Sequence, residues 1–264
     1  NALTQTAQAE ASNFPFCTIE PNHGRVAVPD PRLDAISALV KPKKTIPTFL
    51  EFADIAGLVK GAGKGEGLGN KFLAHIREVD ALIHVLRCFE DDAITHVSGH
   101  VDPDDDAGVV NTELMLADME SLERRLDPLT KKARGGDKAA KLELSLIERA
   151  LEALGEGRPA MTLNIAEDEE KAFRGLQLLT GKPVLYVLNV EEDAAAEGNA
   201  ISARAAEMAA AQGAGSVVVS ARIEEEIAAL DGAGEKAEFL AAMGLGETGL
   251  ARVIRAGYGL LGLV

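Results

Sequence analysis

The chain has 264 residues, 47% of them hydrophobic, and a formal charge of −15, which gives it material for one large core or two smaller ones and excludes a general nucleic-acid coat. No apolar run reaches the roughly 18 residues that a membrane helix needs, and the mixed, polar first residues lack the basic start and apolar centre of a signal peptide, so a cytoplasmic protein with neither membrane nor DNA as partner is expected. Cys17 and Cys88, the only cysteines, are too few for a disulfide scaffold and have no metal-ligand neighbours, so ordinary reduced thiols are expected.

In chain order, residues 1–8 read as the tail of a helix, Arg25–Val28 as a short strand, Pro31–Val40 as a helix and Thr48–Ile55 as a buried strand. Ala81–Phe89, Pro183–Val190 and Ser216–Ser220 are near-continuous apolar runs, the pattern of strands covered on both faces in a parallel sheet. A helix over Asn199–Gln212 separates the last two, and another over Gly249–Leu261 closes the chain. This alternation predicts a doubly wound α/β domain with helices on both faces of a mostly parallel sheet. From Val109 to Leu154 there is no strand signal. Met115, Met119, Leu122, Leu126 and Leu129 step by four and three, as do Leu144, Ile147, Leu151 and Leu154, which predicts an antiparallel helical hairpin turning at Ala133–Asp137. The expected organisation is an α/β domain made of residues 1–106 and 158–264, with residues 107–157 inserted as a helical arm.

The chemistry begins at the end of the Thr48–Ile55 strand. Open α/β sheets bind ligands at the carboxyl ends of their strands, where Asp54 stands, and Gly57 can bring a bare backbone N–H against a terminal phosphate. Strand–Asp–Gly is also a common turn, so this segment alone leaves both readings open. Glycines 57, 61, 63, 65, 67 and 69 suit a loop that orders over phosphate, and equally a solvated loop. Upstream, Asn13–Asn22 lies where a switch loop with a metal-binding threonine sits in P-loop hydrolases. Thr18 is the candidate ligand, its hydroxyl sharing a magnesium ion with Asp54, against the alternative of a proline-bounded loop with an incidental threonine.

A third motif weighs on the nucleotide side. The Pro183–Val190 strand ends in Asn189-Val190-Glu191-Glu192, and the next in Ser220-Ala221-Arg222. Guanine-nucleotide proteins hold their base with Asn-Lys-x-Asp and Ser-Ala-Lys. Here Val190 replaces the packing lysine and Glu192 the aspartate, displacing the acceptor by a methylene and weakening the case for guanine. Asn189 can offer an amide donor and acceptor to adenine instead.

Taken together, Asn13–Asn22, Asp54–Gly69, Ala81–Glu90, Asn189–Glu192 and Arg252–Tyr258 resemble the YchF family, the Obg-like ATPases within the Obg group of translation-factor-related P-loop proteins. The resemblance spans essentially the whole chain. It implies a G-domain-like P-loop NTPase fold, an ATP-preferring hydrolase using magnesium, an inserted helical arm, a C-terminal TGS domain and association with ribosomes.

The family's phosphate loop, G-x-x-x-x-G-K-[ST], is not met within these residues: Gly65 follows Gly63-Lys64 where Ser or Thr is required, and Leu58 stands where the first glycine belongs. The loop is expected immediately before Asn1 and the TGS domain after Val264. The chain as it stands is therefore expected to bind ATP poorly and hydrolyse it negligibly. The position after Gly57, where Ras-like enzymes carry a water-orienting glutamine, is Leu58. His96 is the candidate to act in its place, with a surface histidine as the alternative; His84, among apolar strand neighbours, is expected to be structural.

Lys131, Lys132, Arg134, Lys138 and Lys141 cluster at the hairpin tip, either as a ribosomal RNA contact or as a solvated turn. Three functions stand in order: an ATP hydrolase acting as a translation-linked switch, an Obg-type GTP hydrolase, and a non-catalytic helical interaction module on an α/β base.

Overall fold

The computed structural model describes residues 22–55, 68–91, 94 and 99–263. The chain divides into two compact units. The first takes residues 1–57, 83–103 and 184–264, and the second residues 58–82 and 104–183.

In the first unit, β1 (Asn22–Ala27) and β2 (Phe49–Asp54) pair antiparallel, with Asn22 opposite Asp54 and Ala27 opposite Phe49. Helix α1 (Pro31–Val40) lies between them in sequence. It starts where the Asp30 side chain accepts the Arg32 N–H and where Pro31 brings a preset φ, and it stops at Lys41, in the left-handed region at φ 48°. The Thr48–Ile55 run reads as a buried strand, yet β2 alternates: Leu50 and Phe52 are half-buried while Phe49, Glu51 and Asp54 are exposed. The charged Glu51 and Asp54 keep one face wet, and the Arg25 guanidinium covers the Phe49 ring at 4.3 Å.

The second sheet has the order β3 (Leu82–Arg87), β4 (Val184–Asn189), β5 (Gly215–Val219). β4 and β5 run parallel, from Leu185 opposite Gly215 to Asn189 opposite Val219. Leu82 N–H donates to Pro183 O, and Cys88 N–H to Asn189 O, so β3 ascends in the same direction. Burial follows position: β4, central, is buried over Leu185–Leu188, whereas β3 leaves Val85 60% exposed. The prediction that all three apolar runs are covered on both faces thus holds for the middle strand only.

Helices cover both faces of this sheet. Leu185, Val187 and Val219 pack with Val253, Ala256 and Leu260 of α9 (Gly249–Leu260). Tyr186, pointing the opposite way by strand alternation, is buried, and its hydroxyl meets Gln212 Oε1 at 3.0 Å where α6 (Ala200–Ala211) ends. Two further helices, α7 (Ala221–Ala229) and α8 (Ala233–Ala242), complete the unit. Ile223 and Ile227 of α7 bury against Phe239, Leu240 and Met243.

The second unit includes α2 (Leu68–Glu78), a helix the glycine-rich run before it conceals in the sequence; Leu73 and Ile76 are buried. The hairpin follows as α3 (Pro103–Arg134) and α4 (Lys138–Gly155). Gly136 turns the chain at φ 91°, and Asp137 caps α4 by accepting the N–H groups of Ala139 and Ala140. The residues that predicted the hairpin form its core: Leu122, Leu129, Ile147 and Leu154 are buried, with Met115, Met119, Leu126, Leu144 and Leu151 packed around them. The core extends to Leu176 and Leu178, beyond the short helix α5 (Glu170–Gly175). The compact unit is therefore larger than the span 107–157.

Charged groups fasten this unit. The Arg149 guanidinium grips both Glu169 oxygens at 2.9 Å, and this bond, chiefly, holds the Glu169 carboxyl below the usual carboxylate range. Lys182 Nζ donates to the carbonyl oxygens of Arg77, at 3.0 Å, and Val79, closing the end of α2; burial pushes this ammonium below the usual lysine range.

Candidate functional site

The parallel pairing of β4 and β5 sets the site. Because the two strands end side by side, the residues that leave them form one rim: Asn189, Val190, Glu191 and Glu192 from β4, and Ser220, Ala221 and Arg222 from β5. Val190 N–H donates to Val219 O at 2.8 Å, which carries the pairing one step past the strand, and its side chain is buried at 2% exposure. Asn189 Oδ1 accepts the Ala221 N–H at 2.9 Å. That bond takes one of the two lone pairs of the oxygen and fixes the side on which the amide carries its NH₂. Ser220 and Arg222 do not sit in the strand end as the sequence suggests. Ser220 is the N-cap position of α7 and Arg222 lies in its first turn. Ser220 is buried, and its Oγ has no hydrogen-bond partner among the described residues. Arg222 Nε lies 2.8 Å from Glu192 Oε1 and 4.0 Å from Glu226 Oε1.

Behind the rim stand residues that sequence reasoning missed. Asn199 caps α6 in a reciprocal capping box with Ser202, and its Nδ2 donates to Cys88 O at 2.6 Å and to the Glu191 carboxylate at 2.9 and 3.1 Å. One amide therefore ties the loop after β4 to the end of β3. The Asn-x-x-Ser spacing at the head of the Ala200–Ala211 helix was the available signal. At the end of β3, Arg87 donates from Nε to Phe89 O, from one terminal nitrogen to Ile94 O and from the other to Asp91 O, with its guanidinium 4.8 Å from the Phe89 ring centroid. It thereby holds the backbone at Phe89, Asp91 and Ile94.

Asp54 ends β2, exposed, and its carboxylate has no hydrogen-bond or ion-pair partner among the described residues. Thr18, Gly57 and His96 lie outside the described residues, so Asp54 is the one member of the predicted phosphate-side group placed here. His84 packs its ring against Tyr186, 5.5 Å between centroids, as expected of a structural residue. Among the described residues there is no cluster of three His, Cys, Asp or Glu side chains able to hold a metal ion, and no helix long and apolar enough to cross a membrane.

The chain is 53% identical to the ribosome-binding ATPase YchF of Bacillus subtilis (strain 168), over all of this chain and 72% of that protein. It is 55% identical to the same protein of Haemophilus influenzae, again over all of this chain and 72% of the relative. The chain belongs to the YchF family. A family model described as 50S ribosome-binding GTPase matches residues 1–122. The solved structure of the Schizosaccharomyces pombe YchF GTPase superposes with a TM-score of 0.80 at 35% identity, covering 98% of this chain and 71% of that one. Fold and family agree: the YchF chain has the α/β architecture of a P-loop nucleotide hydrolase, carrying a helical hairpin. The YchF relatives are named ATPases, whereas the matched model and the yeast structure are named GTPases, so the names alone leave the purine open.

Proposed function

We propose that this chain carries the nucleotide site of an ATP hydrolase that works as a ribosome-associated switch in the cytoplasm. The observation that supports it most is the rim at the ends of β4 and β5. Two polar groups stand there within four residues of the strand ends: the Asn189 amide, turned by its bond from the Ala221 N–H, and the buried Ser220 hydroxyl, which has no partner among the described residues. A buried hydroxyl without a partner is uncommon, and a ligand that brings one resolves it. With its Oδ1 held by Ala221, Asn189 presents a donor suited to a purine N7. Glu192, a methylene longer than the aspartate of guanine-binding loops, does not reproduce the acceptor pair that guanine uses. Adenine is the base that suits this rim. The names of the relatives, ribosome-binding ATPases, point the same way.

In this reading residues 1–106 and 158–264 are the nucleotide-binding domain, and residues 107–157 are an arm that reaches ribosomal RNA through Lys131, Lys132, Arg134 and Lys138. Thr18 and Asp54 hold magnesium beside the phosphates. An exposed carboxylate with no partner among the described residues suits a hard, oxygen-seeking cation that keeps several of its waters. When bound, that ion neutralises developing charge on the phosphates. Gly57 brings a backbone N–H to the terminal phosphate, and His96 orients the attacking water.

The test is turnover of ATP and GTP, separately and in competition, by the full-length protein in magnesium. ATP is expected to be the better substrate and the better competitor. A GTP rate equal to or above the ATP rate would replace this reading with the Obg-type GTPase, and no turnover of either, with no binding, would leave the helical interaction module.

A further inference from the structure

We propose that Arg222 is a specificity residue, which holds the Glu192 carboxylate in an ion pair and so withholds it from the donors of a 6-oxopurine base. The inference deepens the adenine reading and rests on the β4–β5 rim being the base site. Glu192 stands three residues past Asn189 and Arg222 two past Ser220, so the parallel strands deliver a carboxylate and a guanidinium to the same rim. There Arg222 Nε and Glu192 Oε1 are 2.8 Å apart. Glu226, one helical turn along α7, stands 4.0 Å from the same nitrogen and keeps the guanidinium between two carboxylates.

The consequence follows from what each purine brings. Guanine has two donors side by side, its ring N–H and its amino group, and both need an acceptor once the base leaves water. Adenine has one amino group beside a bare ring nitrogen. Two side-chain acceptor oxygens at the rim already have a partner within the chain: Asn189 Oδ1 takes the Ala221 N–H, and Glu192 Oε1 faces Arg222 Nε. A guanine docking here competes with the guanidinium for that carboxylate, and any donor it buries without a partner costs more than the exposed ion pair it would disturb. The pair is exposed, Arg222 at 73% and Glu192 at 40% of their side-chain surfaces, so the guard shifts a preference and does not impose an absolute block. Arginine does this better than the lysine of the Ser-Ala-Lys pattern would, because its planar group keeps a fixed approach to the carboxylate.

The experiment is equilibrium binding of fluorescent ATP and GTP analogues to the full-length protein as wild type, Arg222→Ala, and Arg222→Ala with Glu192→Gln. In Arg222→Ala the ratio of the GTP Kd to the ATP Kd is expected to fall about threefold to fivefold, the scale set by an exposed ion pair. Adding Glu192→Gln is expected to return the ratio toward the wild-type value, since the freed carboxylate is then gone. An unchanged ratio in Arg222→Ala, or a fall that persists in the double variant, overturns the proposal and leaves the base site standing. Wild-type protein that binds neither analogue removes the base site and this proposal with it.

Discussion

The carboxylate of Asp118 is joined to Thr180 twice, accepting both its N–H and its hydroxyl at 2.8 Å, while its other oxygen accepts the Leu179 N–H at 2.8 Å. Asp118 is 1% exposed, so α3 is fastened to the segment before β4 by a carboxyl group almost wholly out of water. Removing it leaves buried donors unmet. Asp118→Ala is therefore expected to cost about 2–4 kcal/mol, read from urea unfolding followed by circular dichroism. Burial, the largest influence, pushes the carboxyl above the usual carboxylate range, against the three hydrogen bonds, which pull it down. The folded state thus holds this proton more tightly than the unfolded chain. Its contribution is fully present below the unfolded carboxylate pKa and is lost as pH rises through the raised one. The stability difference between wild type and Asp118→Ala should shrink as pH climbs above the ordinary carboxylate range, and a difference that grows with pH would contradict the assignment.

Asn189 accepts from Ala221, and in the proposed site its NH₂ is the group that meets the base. Asn189→Ala abolishes both, and ATP affinity in the full-length protein is expected to fall about tenfold, the equivalent of one ordinary hydrogen bond. Asn189→Asp keeps the acceptor for Ala221 but has no donor left for the base. Titration calorimetry on both variants separates the roles: an aspartate variant that binds ATP as tightly as wild type would show that the amide donor is not used.

What the sequence made legible follows the strength of its periodicities. The hairpin was plain because nine apolar residues from Met115 to Leu154 keep one step, and all nine meet in one core. β4 was plain because a central strand has no wet face to interrupt its run. Edge strands mislead: Val85 belongs to an apolar run and is nonetheless 60% exposed. Helices α2, α7 and α8 escaped notice for different reasons. The first follows a glycine run that reads as loop, and the others are built from Ala and Glu with short apolar stripes, Ile223 and Ile227 in one, Phe239 and Leu240 in the other. At the site, Asn189 and Ser220 could be named from motif spacing, but the pairing of Arg222 with Glu192 depends on two segments distant in sequence and comes only with the parallel strand register. Asn199 was hidden for the same reason: its bond to Cys88 O spans 111 residues.

His96 stands two residues after Ile94 in sequence, and Arg87 holds the carbonyls of Phe89, Asp91 and Ile94. In the full-length protein, His96→Ala should lower kcat for ATP about a hundredfold, the lower range for loss of a positioned acid–base group, with ATP affinity kept. Single-turnover kinetics alongside nucleotide titration checks this. A variant with wild-type kcat would send the search for the water-orienting group elsewhere in the site.

The exposed tip of the hairpin carries Lys131, Lys132 and Arg134 in the last turn of α3 and Lys138 and Lys141 at the start of α4. Cations in a last helical turn also complement the helix dipole, so their presence alone does not require a partner. A phosphate-rich partner makes a separable demand: binding must weaken with salt in proportion to the phosphates neutralised. Converting the five to glutamate should abolish ribosome co-sedimentation of the full-length protein at low salt. Replacing Lys132 alone by Ala should reduce the slope of log affinity against log salt by roughly one, as expected for one lost phosphate contact. Co-sedimentation that survives the fivefold reversal would make the tip a solvated turn and move the ribosome contact to another surface.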